Sequence, residues 1–440
     1  MVTDVHVKIN PGNIKCLRHF APYRRLSLMS KLQPARGTHD LWGEDYKKHQ
    51  NITSIAEEVA RRFGFQGITT PIFEFTQVFK RTLGDTSDIV HKEMYTFVDR
   101  GNEEITLRPE GTAPIVRAFI SNGLTRQLPF KAFYNGPMFR YERPQKGRLR
   151  QFHQVGVEHL GADKPRDDIE VIAMAALFLK ELGLQDQISL DINSIGDTQS
   201  RLQYREKLVN YLQQHETQLS EDSQRRLSTN PLRILDSKDE KDQDIIGKAP
   251  RLHDSLNAES KEMFDEVCAG LDLLKIPYNK NPRLVRGLDY YCHCVFEFKA
   301  KNLGAQDTVL AGGRYDGLVE QMGGPTTTGV GWASGIERLA LIYEPTLNAE
   351  PLIALIPLGE QAEKESLKLA QTLRENQFIV ECVLSGNMSK RLKKADRLQA
   401  KKAVIFSDED LAKSQVEIKN LESGTQVTLP LAELTTALRS

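Results

Sequence analysis

The stretch FRYERPQKGRLRQFHQVGVE, residues 139–158, carries the most structural information in the sequence. Segments 131–142 and 150–161 have strand character and are separated by a short charged loop, RPQKGRL, which predicts an antiparallel β-hairpin. Alternation along a strand places Arg140 and Glu142 on one face of the first segment. On the second segment the same alternation groups four residues on one face: Phe152, Gln154, Gly156 and Glu158.

A polar face with both charge signs has two interpretations. An antiparallel sheet often exposes one side to water, and a solvated outer face is the more common case. A binding face, in contrast, needs a cation for phosphate and carboxylates or amides for an amine. Phe152 argues mildly for binding, but this hairpin alone leaves both interpretations open.

The elements before and after the hairpin indicate an α+β fold. Apolar residues at Ile52, Ile55, Ala56, Val59 and Ala60 have helical spacing and predict an amphipathic helix over 46–63. Strands are predicted at 67–75, 93–98 and 104–107, and helices at 112–120 and 168–182. This order is not a βαβ repeat, so we do not expect a parallel sheet here.

The second half of the sequence predicts an insertion and a separate domain. Residues from about 200 to 280 are rich in charge and helix formers and interrupt the strand pattern, which resumes at 290–298 and 308–311. The glycine-rich segment GGPTTTGVGWASG leads into a helix from Ile336, and Pro345 and Pro351 bracket a short linker. We therefore predict a tail over 1–32, a main domain over 33–345 with the insertion at about 200–280, and an alternating α/β domain over 350–440.

Composition sets limits on the class of protein. A chain of 440 residues is long enough for two or three domains, and no stretch approaches the roughly 18 apolar residues of a membrane helix. Lys+Arg and Asp+Glu both number 59, so contacts with nucleic acid must depend on local basic patches. The five cysteines form no CxxC pair, which is typical of a reducing, cytosol-like compartment.

The first 30 residues have a basic bias, with five Lys or Arg against the single acid Asp4. Three explanations fit: an organelle transit peptide, a disordered tail, or a true start at Met29. Serine is scarce for a transit peptide, since the segment holds just Ser27 and Ser30. We favour a disordered tail or a start-site artefact.

The segment RGLDYYCHCVFEF, residues 286–298, offers a second set of functional groups. In a regular strand Arg286 and Tyr290 face one way and Tyr291 the other, so joint action of Arg286 and Tyr291 needs a bend, which Gly287 permits. The Cys-His-Cys run at 292–294 lacks the spacing of metal ligands, so we expect strand packing and no metal site there.

The segment TGVGWASGIERL places three glycines before a helix that carries Arg338. Small residues allow close backbone approach, and an arginine at a helix start can reach a nucleotide. A plain glycine turn is nevertheless the more common interpretation of this pattern. It is neither a GxGxxG fingerprint nor a Walker A loop.

Taken together, these segments resemble the motifs of class II aminoacyl-tRNA synthetases, and in detail the histidyl-tRNA synthetase family. ITTPIFE (68–74) is similar to motif 1, the hairpin stretch to motif 2, and GVGWASGIERL (329–339) to motif 3. Three segments point to the histidyl family: TLRPEGT (106–112), QFHQVGVE (151–158) and RGLDYY (286–291). The resemblance runs from about Arg36 to the C-terminus, with Trp332 where phenylalanine is common.

The resemblance implies a fold and an activity. The fold is α+β, with an antiparallel-sheet catalytic core, a helical insertion and a C-terminal α/β anticodon-binding domain. The activity is ATP-dependent activation of L-histidine and transfer of histidine to the 3′ end of tRNA(His). ATP is then a substrate accompanied by Mg²⁺, and the implied partners are tRNA(His) and a second copy of the chain. We expect a homodimer in the cytoplasm, with no membrane association.

The resemblance also assigns site residues. It gives the histidine α-amino end to Glu110, Thr112 and Gln154, and the imidazole to Glu158 and Tyr291, within a pocket that includes Gly111 and Tyr290. It gives the α-phosphate and catalysis to Arg140 and Arg286, the adenine to Phe152 and Arg338, and the vicinity of the base to Glu142. The loop residues assigned to the tRNA acceptor end are Arg143, Gln145, Lys146 and Arg148. The basic helical face assigned to the anticodon domain comprises Lys390, Lys394, Arg397 and Lys401.

Two alternatives stay open at this point. Some paralogues keep the catalytic fold as a histidine-sensing regulatory subunit, but these typically lose the signature arginine and the C-terminal domain. Another class II synthetase, such as a prolyl or threonyl enzyme, has no need for paired imidazole readers. Both the signature arginine and the C-terminal segment are present in this sequence.

Overall fold

The computed structural model describes residues 31–83, 89–286, 288, 290–304, 307–344 and 351–439. The chain divides into two compact units, Met1–Pro345 and Thr346–Ser440. The predicted N-terminal tail lies almost wholly outside the described residues, as do Gly287 and the proposed linker around 345–350. Each unit is therefore described by itself.

The first unit contains strands that belong to two separate sheets. In chain order they are β1 Gln66–Gly67, β2 Phe73–Phe75, β3 Tyr95–Val98, β4 Glu104–Leu107, β5 Phe130–Phe139, β6 Gln151–Leu160, β7 Ile188–Ser194, β8 Asn279–Lys280, β9 Cys292–Ala300, β10 Thr308–Arg314 and β11 Gly329–Gly335. The helices of this unit are α1 Gly43–Arg62, α2 Thr76–Leu83, α3 Thr112–Ser121, α4 Pro165–Glu181, α5 Thr198–Gln213, α6 Glu221–Thr229, α7 Glu240–Gly247, α8 Ala258–Leu273, α9 Leu318–Gln321 and α10 Ile336–Ala340. Shorter turns are a π-helix, Ile89–Glu93, and 3-10 helices at Leu124–Arg126, Glu216–Gln218, Pro231–Asp236 and Leu252–Ser255.

The larger sheet has eight strands in the order β1-β5-β6-β11-β10-β9-β7-β8. Its interior pairs are antiparallel, including the predicted β5–β6 hairpin, whereas the short edge pairs β1–β5 and β7–β8 are parallel. The predicted antiparallel core is confirmed.

Strand alternation gives the larger sheet two different faces. Val155 and Val157 of β6 point into a core that also contains Ile52 of α1, Val171 of α4 and Val267 of α8. Residues 154, 156 and 158 alternate with these valines and point to the opposite face. That opposite face is covered by α3 and by the helices of the insertion, and it bears the polar cleft described below.

Two predicted elements are corrected by the structure. The strand expected over 67–75 is in fact two short strands, β1 and β2, in different sheets, and Pro71 between them cannot donate to a ladder. The glycine-rich segment 329–335 is not a turn but the central strand β11. Turn statistics misled here because small residues also suit a strand that other groups approach closely.

The first hairpin strand is shorter than predicted. β5 ends at Phe139, so Arg140 and Glu142 belong to the loop rather than to one face of a strand. The loop is itself closed by backbone hydrogen bonds between Gln145 and Arg148 (3.1 and 2.9 Å), with Gly147 at φ 74°. The Arg140 side chain is oriented by its hydrogen bond to the Pro109 carbonyl oxygen, which strand alternation cannot predict.

A small sheet, β2-β4-β3, has one apolar face directed to solvent. Phe75, Ile105 and Phe97 are paired directly across the three strands, so their side chains share that face. Phe75 and Phe97 are 59% and 47% exposed. On the opposite face, Thr106 is buried and shares hydrogen bonds with neighbouring threonine hydroxyls.

A buried ion pair joins α4 to β10. The Arg314 guanidinium donates to the Asp168 carboxylate (Nε–Oδ2 3.1 Å) and to the carbonyl oxygens of Ala162 and Lys164. Both charged side chains are almost fully buried. Burial raises the pKa of Asp168 to about 6, against the attraction of Arg314, which lowers it.

The insertion is helical, as predicted, and its last helix joins the main core. Asp242 of α7 accepts hydrogen bonds from the Ser220 backbone and from the hydroxyls of Ser220, Ser223 and Ser237. These bonds connect α7 to α6 and to the end of the 3-10 helix Pro231–Asp236, which follows α6. In contrast, α8 packs against α4 within the first core.

The second unit is an α/β domain with a five-stranded sheet, β13-β12-β14-β15-β16. β12 pairs in parallel with β13 and β14, while β15 and β16 are antiparallel. The elements are β12 Ile353–Leu358, α11 Glu360–Glu375, β13 Val380–Cys382, α12 Met388–Arg397, β14 Lys402–Ser407, α13 Asp408–Ala412, β15 Gln415–Asn420, β16 Gln426–Pro430, a 3-10 helix Leu431–Glu433 and α14 Leu434–Arg439. In the part of the chain that the structure describes, no helix has the length and apolar character needed to cross a membrane.

Candidate active site

A cleft of about 500 Å³ lies on the polar face of the larger sheet. It brings together twelve of the residues singled out in the sequence: Glu110, Thr112, Arg140, Glu142, Arg148, Phe152, Gln154, Glu158, Arg286, Tyr290, Tyr291 and Arg338. Four others do not line it: Gly111, Arg143, Gln145 and Lys146. Residues more than 170 positions apart in the sequence therefore share one cavity.

Glu158 forms the buried end of the cleft, with 1% of its surface exposed. Its two carboxylate oxygens accept hydrogen bonds from different hydroxyls, Thr112 Oγ1 at 2.7 Å and the phenol of Tyr315. Burial raises the pKa of Glu158 to about 8, although both hydroxyl donors act to lower it. The carboxyl group is thus held in a fixed orientation, and burial favours its protonated form.

Two glycines of β11 provide the space for the Glu158 carboxylate and the Tyr315 ring. A Cβ atom at Gly331 would overlap Glu158 Oε2 and the Val157 carbonyl oxygen. A Cβ atom at Gly329 would overlap the ring of Tyr315. Close approach of other groups is therefore the physical reason for glycine at these positions.

The start of α3 forms a second acidic group beside Glu158. Both oxygens of Glu110 accept from backbone amides at the start of the helix, Thr112 N at 2.7 Å and Ala113 N at 2.8 Å. Burial raises the pKa of Glu110, and these amides oppose the rise. Gly111 does not reach the cleft but makes room for Tyr134, whose ring a Cβ atom there would overlap.

Among the described residues, two buried polar atoms near this end have no hydrogen-bond partner, Gln154 Oε1 and Tyr134 Oη. Unsatisfied buried groups are costly, and in a native protein each needs an explanation. An oxygen acceptor on the cleft wall, next to two carboxyl groups, suits a bound ammonium group. The geometry therefore favours a small ligand with an amine at this end of the cleft.

The segment before β9 supplies the cation of the middle of the cleft. The Arg286 guanidinium forms an ion pair with Glu297 and lies over the Tyr291 ring, 5.5 Å from its centroid. Burial is the largest single influence on the pKa of Arg286 and lowers it, but the Glu297 carboxylate and the Tyr291 and Tyr290 phenols together raise it above its ordinary value. Because β9 begins at Cys292, the predicted strand alternation does not apply, and Arg286, Tyr290 and Tyr291 all line the cleft.

The hairpin loop supplies a second cation and an aromatic ring. Arg140 donates to the Pro109 carbonyl oxygen at 2.8 Å and lies over the Phe152 ring, 5.3 Å from its centroid. Glu142 pairs with Arg148 at 3.1 Å, and Arg140 lies 3.8 Å from the same carboxylate. Arg148 therefore belongs to the cleft wall, whereas Arg143, Gln145 and Lys146 are exposed on the loop.

The glycine-rich strand leads to the last cation, Arg338 of α10. Its guanidinium donates to the carbonyl oxygens of Gly147 (3.3 Å) and Thr308 (2.8 Å). The preceding residue, Glu337, accepts from the backbone N–H of His153 at 2.9 Å and contacts its ring nitrogen Nδ1 at the same distance. These bonds fix the start of α10 against β6, so that Phe152 and Arg338 line the same cleft.

Several residues of the cleft could not be found from the sequence. Tyr315, which lies behind the cleft, holds Glu158, and Glu297 holds Arg286. Tyr315 belongs to no motif, and nothing within the segment 286–298 marks Glu297 as the partner of Arg286. Arg226 and Arg233 reach the cleft from the insertion, which in the sequence is a mere interruption of the strand pattern. The arginine in the run NPLRILD is a usable signal, since it is a charged residue between apolar neighbours.

The cleft thus joins a buried acidic end, a middle with arginines from two separate segments, and an end with a phenylalanine and a third arginine. Such a site can hold an amino acid and a nucleotide with the phosphates between them. An antiparallel sheet with these features on the β5–β6 hairpin and on β11–α10 defines the class II aminoacyl-tRNA synthetases.

Comparison with known proteins identifies the family. The family model for histidyl-tRNA synthetase matches residues 37–339, and the model for the anticodon binding domain matches residues 353–440. Histidine–tRNA ligase of Rhodospirillum rubrum is 54% identical over 407 residues, 92% of this chain and 98% of that protein. That of Gluconobacter oxydans is 52% identical over 406 residues, with the same coverage.

Solved structures agree. The apo histidyl-tRNA synthetase of S. aureus is 38% identical, with a TM-score of 0.78, and the match covers 93% of this chain and all of that chain. This chain belongs to the histidyl-tRNA synthetase family. The family resemblance and the α+β fold class inferred from the sequence are both confirmed.

Proposed function

We propose that this cleft activates L-histidine with ATP and that the chain then transfers histidine to the 3′ end of tRNA(His). The observation that carries the proposal is the buried acidic end, where Glu158 is held by Thr112 and Tyr315 beside Tyr291. An imidazole has one ring nitrogen that donates and one that accepts. A carboxyl group facing one and a hydroxyl facing the other distinguish histidine from amino acids of similar size.

The remaining histidine contacts follow from the unsatisfied and acidic groups nearby. We assign the α-amino group to Glu110, Thr112 and the free acceptor Gln154 Oε1. This places the carboxylate of histidine toward the arginines in the middle of the cleft. Opposite charges at the two ends of the amino acid support the assignment.

Activation forms a bond between a histidine carboxylate oxygen and the α-phosphorus of ATP. The bond from that phosphorus to the bridging oxygen breaks, and pyrophosphate leaves with the electron pair. We assign the charge of the α-phosphate to Arg140 and Arg286, which are preorganised by Pro109 and Glu297 before the substrate arrives. Positioning and positive charge supply most of the catalysis in such a displacement.

The adenine is assigned to the end of the cleft lined by Phe152 and Arg338, with Glu142 nearby. Mg²⁺ prefers oxygen ligands and is usually held with substrate phosphates. Such an ion would neutralise charge on the β and γ phosphates and would be held by the phosphate oxygens, because Glu142 already pairs with Arg148. Arg140 lies over the Phe152 ring. For adenine to stack on Phe152, Arg140 must therefore move away from the ring, or adenine must bind the opposite face of the ring.

Two surfaces are assigned to tRNA. The exposed loop residues Arg143, Gln145 and Lys146 lie beside the cleft and suit the acceptor end. In the second unit, Lys390, Lys394 and Arg397 lie on α12 and suit phosphates of the anticodon stem. Lys401, predicted on the same helical face, lies beyond the end of α12.

We also propose a homodimer. The apolar face of the small sheet, with Phe73, Phe75 and Phe97 each about half exposed, is a contiguous patch that a second copy would cover. Phe73 of this face lies in the segment 68–74, which resembles motif 1. A reducing, cytoplasmic location is part of the proposal, supported by the free thiols of Cys268, Cys292, Cys294 and Cys382.

Exchange of pyrophosphate into ATP, measured with each of the twenty amino acids in turn, tests the proposal. We expect exchange with histidine alone. The regulatory-subunit alternative predicts histidine binding without exchange, and another class II activity predicts exchange with a different amino acid. Charging of tRNA(His) transcripts then tests the second step.

A further inference from the structure

Two arginines of the insertion, Arg226 on α6 and Arg233 in the 3-10 helix Pro231–Asp236, line the active-site cleft. Both side chains are half-buried, and the Arg226 side chain is 29% exposed. Neither belongs to the motifs that identify the family. Their position therefore needs an explanation of its own.

The segment that carries them is braced rather than loose. At its start, Ser220 caps α6 and binds Asp242, and at its end Ser237 binds the same carboxylate. Between these points Ile234 is fully buried in the second core, and Leu227 is nearly so. A segment held at both ends and along its middle can present two guanidinium groups in a fixed arrangement.

The braced segment lies on the Arg286 side of the cleft. Residues 229–232, between the two arginines, line a second cavity of about 260 Å³ together with Arg286, Leu288 and Tyr291. Phe152 and Arg338, at the adenine end, do not line that second cavity. Arg226 and Arg233 are thus near the α-phosphate position and away from the adenine.

The arginines of the cleft pair with carboxylates that differ in exposure. Arg286 is paired with Glu297, and Arg148 with Glu142. Arg226 is paired with Asp222, but that carboxylate is 54% exposed, and an exposed pair exchanges easily for a phosphate.

We propose that Arg226 and Arg233 bind the β and γ phosphates of ATP and stabilise the leaving pyrophosphate. As the bond from the α-phosphorus to the bridging oxygen breaks, negative charge accumulates on pyrophosphate, and two guanidinium groups beside it lower the energy of that state. This inference rests on the proposed function and extends it to residues outside the shared motifs. The insertion is then part of the active site.

Single variants Arg226→Ala and Arg233→Ala, with Arg225→Ala as the matched control, test the proposal. Arg225 is on the same helix and pairs with the same Asp222, but its side chain is 75% exposed and it does not line the cleft. Three quantities are measured: KM for ATP in exchange, binding of inorganic pyrophosphate by calorimetry, and affinity for a sulfamoyl analogue of histidyl adenylate, which lacks the β and γ phosphates.

Each cleft variant should raise KM for ATP and weaken pyrophosphate binding by about ten-fold, the usual effect of losing one charge-assisted contact. Affinity for the adenylate analogue should stay within about two-fold of the parent, because that ligand does not reach these arginines. Arg225→Ala should match the parent in all three. Arg226→Lys should recover part of the loss, since it keeps the charge without the planar fork.

A parallel loss of analogue affinity would mean that the arginines support the fold of the site, and the proposal would be wrong. Normal values for ATP and pyrophosphate with a raised KM for tRNA would assign the arginines to the acceptor end and overturn it equally. Pyrophosphate binding does not depend on turnover. It therefore tests the arginines even if the parent protein were to show no exchange with histidine.

Discussion

At the residue scale, Glu158 shows how burial sets the chemistry of a side chain. The carboxyl group is enclosed, is oriented by two hydroxyl donors, and has a pKa raised to about 8 by burial. A bound imidazole can share a proton with such a group, whereas a neutral amide in its place keeps the size and loses the charge-assisted contact.

Glu158→Gln should preserve the fold and reduce kcat/KM for histidine by about ten-fold to a hundred-fold, as expected for losing a contact of about 1.5–3 kcal/mol. The measurement is pyrophosphate exchange at varied histidine concentration. KM for ATP should change little, which separates a histidine contact from general damage to the cleft. An unchanged kcat/KM would remove Glu158 from the histidine site.

The same substitution has a predicted effect on stability. The pKa of Glu158 is higher in the folded protein than its ordinary value of 4.5, so the folded state binds the proton more tightly. That contribution is fully present below pH 4.5 and is lost as the pH rises through about 8. The free energy of unfolding of Glu158→Gln, relative to the parent, should therefore increase between about pH 5 and pH 8. Urea unfolding across this range measures it, and Glu360→Gln, at an exposed glutamate, should show no such trend.

Arg286 is the residue whose loss should reduce adenylate formation most directly. Removing one preorganised charge-stabilising group typically costs about 10²–10³ in rate, and Arg286→Ala should lose at least that much. Arg286→Lys should recover part, because lysine lacks the fixed fork of donors. Pre-steady-state adenylation and thermal unfolding are measured on the same protein.

The alternative role for Arg286 is a structural ion pair, for which the sequence offers Asp289 as a partner, but Asp289 lies outside the described residues. In the structure the guanidinium pairs with Glu297. If that ion pair were its whole role, Arg286→Ala would lower stability and a folded variant would still form adenylate at a normal rate. Glu297→Gln serves as a comparison, because it weakens the pair while leaving the guanidinium in place.

At the scale of elements, β11 pairs with its neighbouring strands and also leaves room for side chains of other segments. It lies between β6 and β10 in the centre of the larger sheet, and its glycines let the Glu158 carboxylate and the Tyr315 ring occupy the space where side chains would stand. Its partner β6 contributes Phe152, Gln154 and Glu158 to one face. The acidic end of the cleft therefore depends on the backbone of one strand and the side chains of its neighbour.

Gly331→Ala should displace Glu158, because the new Cβ overlaps its carboxylate and the Val157 carbonyl oxygen. We expect a loss of stability of about 1–3 kcal/mol, as for other overpacked sites, together with weaker histidine binding. Gly335→Ala is the matched control, since it is on the same strand at φ −79° and a methyl group there would have no atom of the described residues within 4 Å. Equal stability of the two variants, by thermal unfolding, would contradict the role of Gly331 in leaving room for Glu158.

At the scale of the whole molecule, the chain combines two units with separate cores. The first contains the cleft and the small sheet with its apolar face, and the second is an α/β domain with its own buried strands. Every residue lining the cleft belongs to the first unit. The two chemical steps should therefore depend on the units differently.

A truncated protein ending near residue 350 should still form histidyl adenylate if it remains dimeric, while tRNA charging falls sharply for lack of anticodon contacts. Sedimentation velocity establishes the oligomeric state, and exchange and charging are then assayed on the same preparation. Charging at the efficiency of the full chain would refute the role of the second unit in tRNA binding.

The sequence by itself determined the family, the fold class and twelve of the residues that line the cleft. Local patterns were sufficient for the β5–β6 hairpin, for α1 and α3, and for the alternating elements of the second unit, because periodicity and end signals act over a few residues. The motif resemblance supplied the twelve cleft residues that the structure brings together. Neither depends on knowing which distant segments meet.

Tertiary structure decided what depends on such meetings. Tyr315 reaches Glu158 from 157 positions away, Glu297 holds Arg286, and the braced segment of the insertion brings Arg226 and Arg233 to the cleft. The glycine-rich segment is a central strand in which glycine is required because Glu158 and Tyr315 occupy the space of its missing side chains. Those two residues come from other segments, so the glycine-rich segment alone does not show this. Contacts between residues far apart in the sequence produce no periodic pattern in either segment. They are therefore visible in the folded structure but not in the sequence.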